Sequence, residues 1–250
     1  MSRNWLDEAL RAAGLRSESS FPRDLMADVV MQLPVSIVPL AGLSAHAVRR
    51  WLGQRGIQHE VNDTDRALHG CLVARAGQGI LFINAGDEES ERRFTLAHEI
   101  AHFILDHLLP RLKVLKVFGN HIRPVLDGER PPTREEMLSA VLDRVRLGVQ
   151  VHLMSRGADG AVCAWDVEES EQRADRLALE LLAPAHAATA GLRRVIGETA
   201  EPAVQQKRAA QNLSERFGLP ADVADSYVRL LLDRRRRQPS LSEEIFGGRK

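Results

Sequence analysis

Apolar residues recur at steps of three and four along most of this chain, the spacing of helices with one buried face. Short extended runs interrupt them. Trp5, Leu6, Leu10 and Ala13 share one side of a helix expected over residues 3–15, closed by Gly14. A second helix is expected over 24–33, ended by Pro34, and 35–40 reads as a short extended run. Ser44 suits the N-cap of a helix over 45–52, with Gly53 as its stop. Residues 70–75 and 80–84 flank Ala76-Gly77-Gln78-Gly79 as a β-hairpin. The second strand leads into a helix carrying Phe94, Ala97, Ala101, Ile104 and Leu105 at helical spacing. That predicts a half-buried helix, with Asp87, Glu88 and Glu89 at its N-terminus, running out by Pro110.

Farther along, Thr133-Arg134-Glu135-Glu136 is a capping-box pattern, opening a helix to about residue 147 with Gly148 ending it. Residues 149–154 read as a strand and 161–165 as its hairpin partner. Ala174, Ala178, Leu181 and Leu182 mark a helix over 170–184, stopped by Pro184. Residues 185–191 are small and read as loose. Helices over 203–217 and 221–235 meet at Gly218-Leu219-Pro220, with Leu213, Phe217, Leu219, Val223, Ala224 and Tyr227 as a small core. Residues 238–250 read as a tail. The sum is an α+β chain, mainly helical. Residues 1–190 form one expected domain, with N-terminal helices and an inserted segment at about 110–168. Residues 191–250 form a C-terminal helical hairpin or helix-turn-helix-like region and tail.

One stretch carries chemistry. Arg93 to His107 reads RFTLAHEIAHFILDH, and inside it lies HEIAH, residues 98–102. On a helix His98 and His102 leave the same face one turn apart, the separation at which two nitrogens hold one zinc ion. Glu99 beside the first histidine can reach a water there without binding the metal, as a general base does. A catalytic zinc needs a third protein ligand and an open fourth position. Glu171 is the candidate third ligand. Asp175, one turn on, is placed to accept a hydrogen bond from a ligand imidazole, and Ala174 and Ala178 would let this helix approach the first closely. His121 and His152 read as structural or surface residues and not as a fourth ligand, because the open position is needed. His46 and His59 read as surface. Tyr227, His107 and His152 are the candidates for a donor to the oxyanion. Residues 80–84 are a candidate edge for a substrate added as an extra strand.

Charge and cysteine content narrow the setting. Lys plus Arg and Asp plus Glu are both 34, so no global positive charge draws the 250-residue chain onto nucleic acid. Cys71 and Cys163 form no metal-binding or disulfide spacing and suit a reducing cytoplasm. No run approaches the ~20 apolar residues of a membrane span.

RFTLAHEIAHFILDH followed by E-x-x-A-D-x-x-A-x-E-L-L-x-P resembles the ImmA/IrrE family of zinc metallopeptidases, most clearly over residues 70–107 and 170–184. The resemblance implies a zincin-like core. It implies Zn2+, with other divalent metals as substitutes, held by His98, His102 and Glu171, and Glu99 as base. Leu177 stands where the family's second block usually has Phe, and the 68 residues between His102 and Glu171 are more than is usual. The family's pattern of action implies site-specific cleavage of a partner helix-turn-helix transcriptional repressor in the cytoplasm, away from membranes. The alternative is a non-catalytic regulator that binds DNA or a partner through residues 200–237 around a structural zinc. Direct DNA binding is disfavoured, because Asp222, Asp225 and Ser226 stand where a groove-reading helix needs donors or cations.

Overall fold

Alternation of side chains along four short strands divides the interior in two. The structure, a computed structural model, describes residues 4–15, 20–57, 66–137, 150–155, 165–196 and 201–237. β1 (Val35–Leu40), β2 (Leu68–Arg75), β3 (Gln78–Asn84) and β4 (Gln150–Ser155) form a mixed sheet in the order β1-β3-β2-β4. β1 is parallel to β3, while β2 is antiparallel to β3 and β4. Leu72, Ala74, Leu81 and Ile83 face the main core. Cys71, Val73, Phe82, Val151 and Leu153 face a smaller one, closed by Ala45, Val48 and Leu52 of α3 (Ala45–Gly53). The hairpin turns on two residues where four are expected. Ala76 and Gly77 both take positive φ, +53° and +82°, which closes a tight turn whose twist suits the strands. β3 is interior, its backbone shared between β1 and β2. It therefore has no free edge for the substrate strand expected at 80–84.

The helices follow their caps and their apolar faces. α1 (Asn4–Ala13) and α2 (Leu25–Gln32) come first, the latter capped by Asp24, whose carboxylate accepts from Ala27 N–H at 3.2 Å. Ser44 caps α3 in the same way through Ala47 N–H, at 3.3 Å. α4 (Glu89–His102) runs without a break through a π-helical turn (Phe103–Leu108) into α5 (Leu109–Phe118). The expected stop at Pro110 is absent because Pro110 falls in the first turn of α5, where its missing N–H costs least. A 3₁₀ turn (Asn120–Ile122), α6 (Arg123–Leu126) and α7 (Arg134–Met137) follow. The α7 capping box is formed. Glu136 N–H donates to Thr133 Oγ1 at 3.3 Å, and Thr133 N–H donates to Glu136 Oε2 at 2.7 Å. The expected continuation of this helix over 138–147 and most of the expected hairpin partner at 161–165 lie outside the described residues.

α8 (Trp165–Leu182), α9 (Ala185–Ile196), α10 (Pro202–Phe217) and α11 (Ala221–Arg237) complete the chain. Residues 185–191 are helical and not loose, because Ala187, Ala188 and Leu192 give that stretch a buried face. One core runs from Ala9 and Val29 through α4 and α8 to Leu213, Phe217 and Leu231. Each fully buried side chain of this size contributes about 1.5–3 kcal/mol. Among the described residues no helix is long and apolar enough to cross a membrane.

The main core places the histidine helix. α4 is pressed between the sheet and α8, and all eight residues from Thr95 to His102 are buried. The helix is thus deeper than the half-buried one that its apolar spacing predicts.

Candidate metal centre

The N-terminus of α4 is held by short-range chemistry. Asn84 Nδ2 donates to Asp87 Oδ1 and His69 Nδ1 meets Asp87 Oδ2, both at 2.7 Å, so one buried carboxylate ties β2 and β3 to the helix start. Glu88 N–H donates to Glu91 Oε2 at 3.3 Å in a capping box, and Arg92 Nη1 donates to the Asp87 carbonyl at 3.1 Å. The register of α4 against the sheet is fixed ten residues before its first site histidine.

His98 and His102 then point the same way, their Nε2 atoms 3.2 Å apart. Each Nδ1 is occupied by a carboxylate. His98 donates to Asp175 Oδ1 on α8 at 2.9 Å, and His102 donates to Asp106 Oδ2 in the π-helical turn at 2.7 Å. These bonds set the tautomers so that both Nε2 lone pairs converge. Glu171 comes in from α8, with Oε2 at 3.3 Å from His98 Nε2 and 3.6 Å from His102 Nε2. The buried, small Ala174 and Ala178 lie on the same helix. Ligand atoms around a tetrahedral zinc with ~2.0–2.1 Å bonds stand about 3.3 Å apart, so the donor triangle of 3.2, 3.3 and 3.6 Å fits such an ion.

Glu99 projects toward β2. Its side chain is fully buried, and Oε1 has no hydrogen-bond partner. β2 can come this close only because Gly70 lacks a side chain. A Cβ there would stand 2.8 Å from Glu99 Oε1 and 2.6 Å from Thr95 Cγ2. His152 on β4 is also in the centre, contrary to its reading as a structural or surface residue. Its Nδ1 is 3.2 Å from Glu99 Oε2, its Nε2 is 2.9 Å from Glu171 Oε1, and its ring stacks on His102 at 3.6 Å. His98, His102, His152 and Glu171 each offer a ligand-type atom within 4.8 Å of the others. Glu171 on α8 is 38 % exposed and His152 on β4 is 23 % exposed while Glu99 is at 0 %, so the group opens to solvent beside these two residues and Glu99 lies beneath them.

The field in the centre favours positive charge. Burial works to lower the His98 pKa, but hydrogen bonds to Asp175 and Glu171 and the charge of Glu99 prevail and push it up to about 9. Burial likewise opposes, and the Glu99 and Glu171 carboxylates outweigh, at His152, pushed up to about 10. Burial would raise the Glu171 carboxyl, yet contacts with His102, His152 and His98 hold it well below the usual carboxylate range. Carboxylates packed around converging imidazoles suit a cation.

Other candidates lie elsewhere. Tyr227 is buried and its hydroxyl donates to the Ala183 carbonyl at 2.8 Å, so it offers nothing to the centre. His107 is buried against the hairpin, where its Nε2 accepts from Gly77 N–H at 3.0 Å. Asp106 was the partner not foreseen. Its signal in the sequence is the i, i+4 step from His102 in HFILD.

No curated protein matches the chain. Residues 54–124 match the family model described as Peptidase_M78, IrrE N-terminal-like domain. The match takes in β2, β3, α4, the π-helical turn and α5, and stops short of β4 and α8. Through the segment that carries the histidine helix, the chain is similar to the IrrE N-terminal-like peptidase family.

Proposed function

We propose that this chain is a zinc-dependent endopeptidase with a zincin-like core. His98, His102 and Glu171 hold the metal, and Asp175 and Asp106 orient the two imidazoles. One observation carries the reading: the triangle of Nε2, Nε2 and Oε2 atoms at 3.2–3.6 Å, beside a buried carboxylate that takes no part in it. When bound, zinc supplies Lewis acidity toward a water and a peptide carbonyl. Glu99 accepts the water proton and returns it to the leaving amine. Its burial keeps bulk water from competing for that proton, and Gly70 leaves its carboxylate room beside β2. Among the described residues the outer side of β4 is unpaired, and a substrate strand added there would pass the centre at His152. The substrate proposed is a helix-turn-helix transcriptional repressor, by analogy with the family alone.

The test is incubation of the zinc-loaded protein with candidate repressors, with new termini located by mass spectrometry. Glu99→Gln is expected to keep its zinc and lose cleavage by roughly 10²–10⁴-fold. His98→Ala is expected to lose both. Cleavage at the wild-type rate by Glu99→Gln would remove the role given to Glu99, and a wild-type protein that takes up no zinc would remove the metal reading.

A second reading is a non-catalytic DNA- or partner-binding regulator with a structural zinc. It draws on His152, which brings the cluster to four donors, the number found in closed structural sites. Under it, Glu99→Gln keeps function and a mobility-shift assay at physiological salt detects DNA binding.

A further inference from the structure

β4 belongs to the inserted segment, and it does more than extend the sheet. It pairs antiparallel with β2, setting His152 opposite Leu72. Leu72 faces the main core and α4, while Val151 and Leu153 face the smaller core. Strand alternation therefore sends the His152 ring, alone of these three, toward the histidine helix. Stacking on His102 at 3.6 Å with the planes 25° apart then fixes the ring's attitude. In that attitude both nitrogens are engaged by carboxylates: Nδ1 by Glu99 Oε2 and Nε2 by Glu171 Oε1. Neither is left to join the donor triangle, which uses the other oxygen of Glu171.

We propose that His152 is a positioning residue that spans Glu99 and Glu171. It leaves Glu171 Oε2 facing the two imidazoles and Glu99 Oε1 turned toward Gly70 of β2. This rests on the zinc-peptidase reading and deepens it: the inserted segment supplies a working part of the centre. Two carboxylates this close repel, and each would otherwise swing to solvent or toward the nearest donor. One ring between them sets their separation and chooses which oxygen each presents. Hydrogen bonds of this kind to a ligand carboxylate govern how tightly it binds.

The experiment measures zinc affinity by competition with a chromophoric chelator, and the visible absorption of the Co2+-loaded protein. Wild type, His152→Ala, His152→Gln and His152→Asn are compared, with His98→Ala as the ligand-loss control. His152→Ala is expected to bind one zinc roughly 10–100-fold more weakly, with the Co2+ bands unmoved. His152→Gln carries an amide to about the place of Nε2 and is expected to recover most of the affinity. His152→Asn reaches only to about the place of Nδ1 and is expected not to recover it. Unchanged affinity in His152→Ala, or His152→Asn binding as tightly as His152→Gln, would overturn the positioning role. A shift of the Co2+ bands, or loss of zinc to the level of His98→Ala, would make His152 a ligand and overturn it too. If wild type and His98→Ala bind zinc alike, it is the underlying metal reading that fails.

Discussion

His107 is a buried acceptor, and its fold depends on its staying neutral. Burial, aided by the Arg111 guanidinium, lowers its pKa from 6.5 to about 4. The neutral ring accepts the Gly77 N–H that closes the hairpin. The unfolded chain takes a proton on this side chain as pH falls through about 6.5, while the folded chain resists until about 4. Its contribution is therefore complete above pH 6.5 and declines as pH falls toward 4, by at most about 3 kcal/mol. Denaturant unfolding at pH 7.5 and 5 is expected to show a smaller loss for His107→Gln, which keeps an acceptor that does not titrate. Equal losses in the two proteins would show that His107 does not carry this dependence. Single residues differed in how readily they could be read. HEIAH is visible because two imidazoles one turn apart are a local relation, and Glu171 and Asp175 because they repeat it. His152 is not, since its place depends on which strand β4 pairs with, and that pairing joins residues about 80 positions apart. Gly70 was equally silent, because its contact with Glu99 exists only once β2 has docked on α4.

α4 and α8 meet through small side chains, and that contact sets how near Glu171 and Asp175 come to the histidines. Ala174 and Ala178 are both fully buried. Ala178→Leu would overfill the contact, costing about 1–3 kcal/mol, and push the two helices apart. It is expected to lower the unfolding midpoint and also to weaken zinc binding, although residue 178 touches no metal. Full zinc affinity in a destabilised variant would show that helix spacing does not govern the centre. Caps and apolar periodicity located α1, α2, α3, β1, α10 and α11 closely, because those signals are written within one turn or one strand, while α8 begins five residues before its expected start. They misjudged the stretch after His102. Three apolar residues, Phe103, Ile104 and Leu109, are buried there, and their packing carries the chain through a π-helical turn and past Pro110. Burial likewise made residues 185–191 helical, where local composition read as loose.

Strands, histidine helix and C-terminal helices share a single continuous core, so an ion held between α4 and α8 braces much of the molecule. Ligand that binds only the folded state adds about 2.7 kcal/mol when present at 100 times its Kd. For a chain of this size that corresponds to a rise of roughly 5–10 °C in Tm on zinc addition, reversed by chelator. Calorimetry with His98→Ala as control checks it, and a Tm indifferent to zinc in wild type would argue that nothing binds between these helices. The sequence was informative about the sum of helices and short strands, and silent about strand order, which long-range pairing alone decides. The distance along the chain between the two halves of the centre has a further effect during synthesis. Sixty-eight residues separate His102 from Glu171, and at roughly 5–20 residues per second a ribosome needs about 3–14 s to cross them. Through that interval the emerging polypeptide has its imidazoles but not their acid partner. On the proposed reading, a fragment released before residue 171 would be born without the acid that completes the metal centre.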